Sequence, residues 1–159
     1  MAYNLLKGKK GIIFGALNDM SIAWKVAEKA WEEGAEFTLS NAPVALRFGE
    51  TEKLAEACNT IVIPADVARL EDIENVFEKT LNHFGGKIDF VLHSIGMSMN
   101  VRKKKLYSDL DYNYFWQTLD VSALSLHKML QTAFKMDAIN EWGSVVALSY
   151  IAAQRTLYG

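Results

Sequence analysis

The chemistry of this chain starts at a turn suited to phosphate. Gly15 ends a β-branched run, Ala16-Leu17-Asn18-Asp19-Met20 follows, and Ser21-Ile22-Ala23 begins a stretch with helical spacing. A helix N-terminus carries unpaired N–H groups and the positive end of the helix dipole, so a pyrophosphate placed there gains charge-assisted hydrogen bonds. Gly15 lets the backbone turn tightly and approach such a ligand, while Ser21 can cap the helix or offer its hydroxyl to a phosphate. The usual G-x-G-x-x-G fingerprint is absent, so the same residues also read as a plain strand–turn–helix with a serine cap. Farther on, Asp66-Val67 follows a third apolar run. A carboxylate there can accept from an adenine amino group while the Val67 N–H pairs with the ring; a helix-capping aspartate is the alternative. The second strand ends in Ser40-Asn41-Ala42-Pro43, with no acid at the tip and no Arg or Lys before Arg47. A 2′-phosphate needs a cation close by, so NADH is favoured and NADPH is left open.

These residues need elements to hold them, and the pattern supplies a strand–helix alternation. Gly11-Ile12-Ile13-Phe14 reads as a buried strand, and Ser21–Glu33 as a helix with Ile22, Ala23, Val26, Ala27 and Ala30 on one face, closed by Gly34. Residues 36–40 read as a second strand, 43–59 as a loop and a helix, and 60–63 as a third strand stopped by Pro64. Leu70, Ile73, Phe77, Leu81 and Phe84 step by three or four along an amphipathic helix that ends at Gly85-Gly86. A fourth strand over 88–93, a polar basic connection over 101–111, one helix over 112–136 and a fifth strand over 144–148 complete the pattern. In that last helix Ser122 falls on the apolar side. The tail from Ser149 to Gly159 shows no further element. Such alternation argues a parallel sheet with helices on both faces, joined by right-handed crossovers.

Composition bounds the rest. At 159 residues, half of them apolar, the chain reads as a single domain over 1–159 with a sizeable core. Seventeen basic against nineteen acidic residues leave a net charge of −2, which argues against a general nucleic-acid footprint. One cysteine, Cys58, excludes an internal disulfide, and His83 and His127 have no partner at metal spacing, so no metal site is expected. No apolar run approaches a membrane span and no signal segment opens the chain, so a cytoplasmic protein with no membrane partner is expected. His93 reads more readily as a structural imidazole than as a positioning one. Arg102-Lys103-Lys104-Lys105 has two readings: a solvated loop, or a patch that steers an acidic partner.

Three separated segments carry a family resemblance. Gly15 with Ser21-Ile22-Ala23, His93-Ser94-Ile95-Gly96 after the fourth strand, and Leu148-Ser149-Tyr150 after the fifth resemble the bacterial NADH-dependent enoyl-(acyl-carrier-protein) reductases, within the short-chain dehydrogenase/reductase superfamily. Ordinary superfamily members carry T-G-x-x-x-G-x-G and N-N-A-G at the first two places; this chain has neither. The resemblance implies a Rossmann-like, doubly wound α/β sheet and reduction of a trans-2-enoyl thioester on acyl carrier protein in fatty-acid elongation. It implies that Gly15, Ser21 and Ile22 contact the pyrophosphate and that Asp66 and Val67 hold the adenine. Ser94, Ile95 and Gly96 would line the nicotinamide side, Ser98 would face the acyl substrate, and Tyr150 matches the first of two catalytic tyrosines. The acidic partner of the basic run would then be the acyl carrier protein.

The family's second tyrosine would fall just beyond Gly159 and its lysine further out; Tyr158 does not fit the spacing. The sheet is therefore expected to be C-terminally truncated, about five strands in the order 3-2-1-4-5 with strand five as a bare edge. The chain as it stands is expected to be a poor catalyst or none. The intact family forms a homotetramer, an assembly in doubt for this chain. A non-catalytic dinucleotide-binding fragment and another short-chain reductase are the competing readings; Tyr150, where such a reductase carries serine, counts against the latter.

Overall fold

A computed structural model describes residues 2–47, 49–151 and 154–155; Tyr158 lies outside them. Apolar strand residues pair into one parallel sheet of β1 (Lys10–Phe14), β2 (Glu36–Asn41), β3 (Val62–Pro64), β4 (Ile88–His93) and β5 (Ile139–Ala147). The order is β3-β2-β1-β4-β5, as the family resemblance implies. Every neighbour is parallel, so every connection must cross back over a face, and helices cover both. One side carries α1 (Ile22–Glu32) and, after the short α2 (Pro43–Leu46), α3 (Thr51–Ala57). The other carries α4 (Leu70–Phe84) and α7 (Ser125–Lys135), reached through α5 (Met99–Arg102) and α6 (Tyr112–Leu119).

Strand alternation divides the core. Ile12 and Phe14 of β1 pack with Ile73, Val76 and Phe77 of α4 and Met129 of α7. Ile13 points the other way, toward Ala23, Trp24 and Ala27 of α1 and Leu54 of α3. Thr38 and Thr80 satisfy each other's hydroxyls at 2.7 Å where β2 passes under α4. Burial pushes the Cys58 thiol up to about 11, so it packs as a small neutral side chain.

Local structure departs from the sequence reading in five places. The third strand runs over Val62–Pro64, so Pro64 pairs with Asn41 instead of stopping the strand, and the basic connection opens with the short α5. Residues 43–59 hold two helices instead of one. The expected single helix over 112–136 is broken by a wide turn at Asp120–Leu124 between α6 and α7. There the Ser125 hydroxyl donates to the Val121 carbonyl at 2.7 Å, and the Ser122 side chain bonds a distant loop. The fifth strand begins at Ile139, not 144: Ile88 pairs with Ile139 but Phe90 with Ser144, so two steps on β4 match five on β5. Gly143 sits in this bulge because a Cβ there would lie 2.2 Å from the Ile139 side chain and 2.9 Å from the Asn140 carbonyl.

Phe77 is fully buried between α4 and the sheet. Phe77→Ala should lower stability by about 3–5 kcal/mol. A urea titration checks this through a lower midpoint at unchanged slope; an unchanged midpoint would contradict the packing.

Candidate functional site

In the order β3-β2-β1-β4-β5 the crossovers from β1 and β4 leave toward opposite edges, opening a crevice beyond the strands' C-terminal ends. Gly15 lies at its floor. Its N–H donates to the Ser40 carbonyl at 2.9 Å on the β2 side. On the β4 side its φ is +92°, and a Cβ would sit 2.0 Å from the Ser94 oxygen. Glycine alone fits both demands.

The chain then climbs to α1. Asn41 Nδ2 and Thr51 Oγ1 both donate to the Ala16 carbonyl, at 3.0 and 2.8 Å. Ser21 does not cap the helix, which corrects one of its two expected roles. Its hydroxyl donates to the Asn18 carbonyl at 2.8 Å and accepts from Leu17 N–H at 3.2 Å, so it shapes the turn ahead of the helix. With the cap position unused, the N–H groups of Ile22 and Ala23 have no partner among the described residues. The Ile22 side chain is largely exposed.

A cleft of about 490 Å³ opens between the ends of β2, β3 and β4, lined by Asn41, Asp66, Val67, Arg69, Ile95 and Val121, among others. Asp66 is exposed and accepts from Ala68 N–H at 3.0 Å, which fixes the turn before α4. Val67 is buried, and its N–H is unpartnered among the described residues. Arg69 puts a cation on this wall, with its Nε 3.8 Å from Asp72. Arg69 reaches this cleft from beyond β3, whereas the end of β2 offers no cation before Arg47.

Two serines of the wide turn anchor the end of β4. Met97 N–H donates to Ser122 Oγ at 3.0 Å, and the same hydroxyl faces the Met97 carbonyl at 3.2 Å. Ser125 has one proton and gives it to Val121, so it accepts from His93 Nε2 at 2.8 Å. Neutral His93 is thus the Nε2–H tautomer, and its buried Nδ1 has no partner among the described residues. Neither serine was singled out for a role, although Ser122 interrupting an apolar stripe was the available signal. Asn100 and Asp111 were also missed: Asn100 Nδ2 donates to the Asp111 carbonyl and Asp111 N–H to Asn100 Oδ1, both at 3.0 Å.

The structure thus brings Asp66, Val67 and Ile95 into one cleft and sets Gly15 against Ser94. Gly96 is exposed beside them. Ser98 caps α5 through Val101 N–H at 3.4 Å. Tyr150 stands three residues past β5 with its side chain 69% exposed; two residues earlier, Leu148 N–H donates to the His93 carbonyl at 3.0 Å. Among the described residues no three His, Cys, Asp or Glu side chains are placed to hold a metal, and no helix is long and apolar enough to cross a membrane.

The family description "Enoyl-(Acyl carrier protein) reductase" matches residues 15–159. The enoyl-(acyl-carrier-protein) reductase (NADH) FabI of Rickettsia bellii is 36% identical over 161 residues, covering 99% of this chain and 59% of that protein. The enoyl-(acyl-carrier-protein) reductase (NADH) 1 of Rhizobium meliloti is 34% identical over 98% of this chain and 56% of that protein. The crystal structure of a FabI–NADH complex from Alistipes finegoldii is 68% identical with a TM-score of 0.97, covering 99% of this chain and 56% of that one. The chain spans less than three-fifths of the length of each.

Burial holds the His93 imidazole below its ordinary pKa, so on acidification the unfolded chain takes up this proton first. The stability tied to neutral His93 is full above about pH 6.5 and is lost as pH falls through the folded value. Melting temperature should therefore drop between about pH 7.5 and 5.5 more steeply in the wild type than in His93→Gln. Equal slopes would remove the imidazole as the cause.

Proposed function

Because the chain belongs to the enoyl-(acyl carrier protein) reductase family, we propose that it binds NADH along the crevice beyond β1–β4. On this reading it forms the cofactor-binding part of a reductase of trans-2-enoyl thioesters on acyl carrier protein. The observation that carries the proposal is the Gly15 turn. A backbone position with no room for a side chain lies beside a helix start whose Ile22 and Ala23 N–H groups have no partner among the described residues, which suits a pyrophosphate. Ser21 holds that turn in shape. Asp66 Oδ2 accepts from the adenine amino group while Val67 N–H pairs with the ring. Ser94, Ile95 and Gly96 line the ribose and ring on the nicotinamide side, with Ser122 fixing the following Met97.

When bound, the cofactor supplies the hydride for the β-carbon of the enoyl group. The protein's part is to hold the substrate and stabilise the charge that builds on the thioester oxygen. Tyr150, exposed three residues beyond β5, is the O–H donor this reading assigns to that oxygen, and Ser98 faces the acyl chain. The reading places the protein in the cytoplasm. It is consistent with a homotetramer in which the exposed Tyr112, Trp116 and Phe134 of α6 and α7 are covered.

The test is tryptophan-to-NADH energy transfer. A saturable signal is expected. Gly15→Ala should weaken NADH at least about tenfold, since the added Cβ displaces the Ser94 backbone or the turn. Asp66→Asn should weaken it less, because the amide oxygen still accepts. No transfer at millimolar NADH from protein with a folded circular-dichroism spectrum would refute the proposal.

A further inference from the structure

We propose that the loop from Val101 to Tyr107 is the docking surface on which the carrier protein delivering the thioester is held, through an acidic face of that carrier. This rests on the substrate class proposed above. The loop has a construction that a merely solvated connection does not need. Its ends are clamped together by the reciprocal Asn100–Asp111 hydrogen bonds, with Asn100 buried. Just ahead of the clamp Ser98 caps α5, and inside it the chain folds back at Lys104, whose φ of +53° lets Lys105 N–H reach the Asn100 carbonyl at 2.9 Å. The segment is therefore set in shape before any partner arrives.

What it displays is cationic and apolar together. Of the four consecutive cations, Lys105 is paired with Asp109 at 3.0 Å, and Lys103 lies on the Tyr114 ring and bonds its hydroxyl. Arg102 and Lys104 form no ion pair among the described residues, and both are exposed. Around them Val101, Leu106 and Tyr107 stand 74%, 72% and 92% exposed. Single exposed apolar residues are ordinary, but three flanking a basic run in one clamped loop match an interface of cationic anchors and apolar contacts. The net charge of −2 confines this positive character to a local patch, which favours a small acidic protein face over a nucleic-acid backbone. Ser98 begins the same segment, so a carrier docked here holds its thioester beside the residue assigned to the acyl chain.

The experiment titrates fluorescently labelled acyl carrier protein with the full chain and reads anisotropy, with NADH affinity measured on every variant. Arg102→Glu/Lys104→Glu and, separately, Leu106→Ser/Tyr107→Ser should each weaken carrier binding at least about tenfold and leave NADH affinity unchanged. Lys29→Glu/Lys79→Glu, the same charge change placed on α1 and α4, should leave both unchanged. Rising salt should weaken the wild-type complex. Absence of carrier binding by the wild type, undiminished binding by the loop variants, or equal competition by a short duplex DNA would each overturn the docking surface. Carrier binding that is lost in the loop variants, in a protein that never binds NADH, would sustain the surface and refute the cofactor reading.

Discussion

Two strands meet at the floor of the crevice with no room for a side chain between them. The Ser94 oxygen occupies the space beside Gly15 where a Cβ would have to go, while on the other flank Gly15 N–H reaches the Ser40 carbonyl. β1 is thus held at its end by both neighbours, and the positive φ of Gly15 sends the chain out of the sheet plane. That direction sets where α1 begins, hence where its free N–H groups point. It also fixes how close the 94–97 loop lies to them. The fully buried Ile12, Ile13 and Phe14 behind Gly15 leave the turn no freedom to slide, because a shift of one residue would exchange the two core faces.

Around this point the polar groups act as a frame. The Ala16 carbonyl is held by Asn41 and Thr51, the Met97 backbone by Ser122, and the His93 ring by Ser125. Each bond joins the end of one strand to a different element, so the crevice walls are braced by interactions distant in sequence. The wide turn at Asp120–Leu124 belongs to this frame. Departure from ordinary helical spacing is how α7 packs Met129 into the core while Ser122 and Ser125 still reach β4 and its loop.

What the sequence disclosed follows from which constraints are local. Strand runs such as Ile12–Phe14, the stripe from Leu70 to Phe84 and the glycine turn all express period or backbone conformation within a few residues. The alternation of strands and helices was legible for that reason, whereas the strand order and the grouping of Gly15, Asp66 and Ile95 came from the resemblance of three motifs to a family. The β5 bulge was not, since its start at Ile139 is decided by pairing with Ile88 on another strand. Ser122 and Ser125 read as helix residues because their partners lie about thirty positions away. Arg69 was passed over because proximity to the end of β2 is a property of the sheet order, not of the chain order.

Recognition in this molecule divides by how it is built. The contacts assigned to the dinucleotide run largely through backbone groups, at Gly15, Ile22 and Val67, whose positions are enforced by the sheet itself. Such contacts tolerate wide substitution around them, which fits curated relatives only about a third identical to this chain and named for NADH. The basic loop works the other way. Its clamp at Asn100 and Asp111 fixes a shape, but the groups it offers, Arg102, Lys104, Leu106 and Tyr107, are side chains that the core does not dictate. A surface of that kind can change partner or affinity without disturbing the crevice. On the reading proposed above, cofactor binding and carrier docking would therefore be separable, the first carried by the fold and the second by a loop mounted on it.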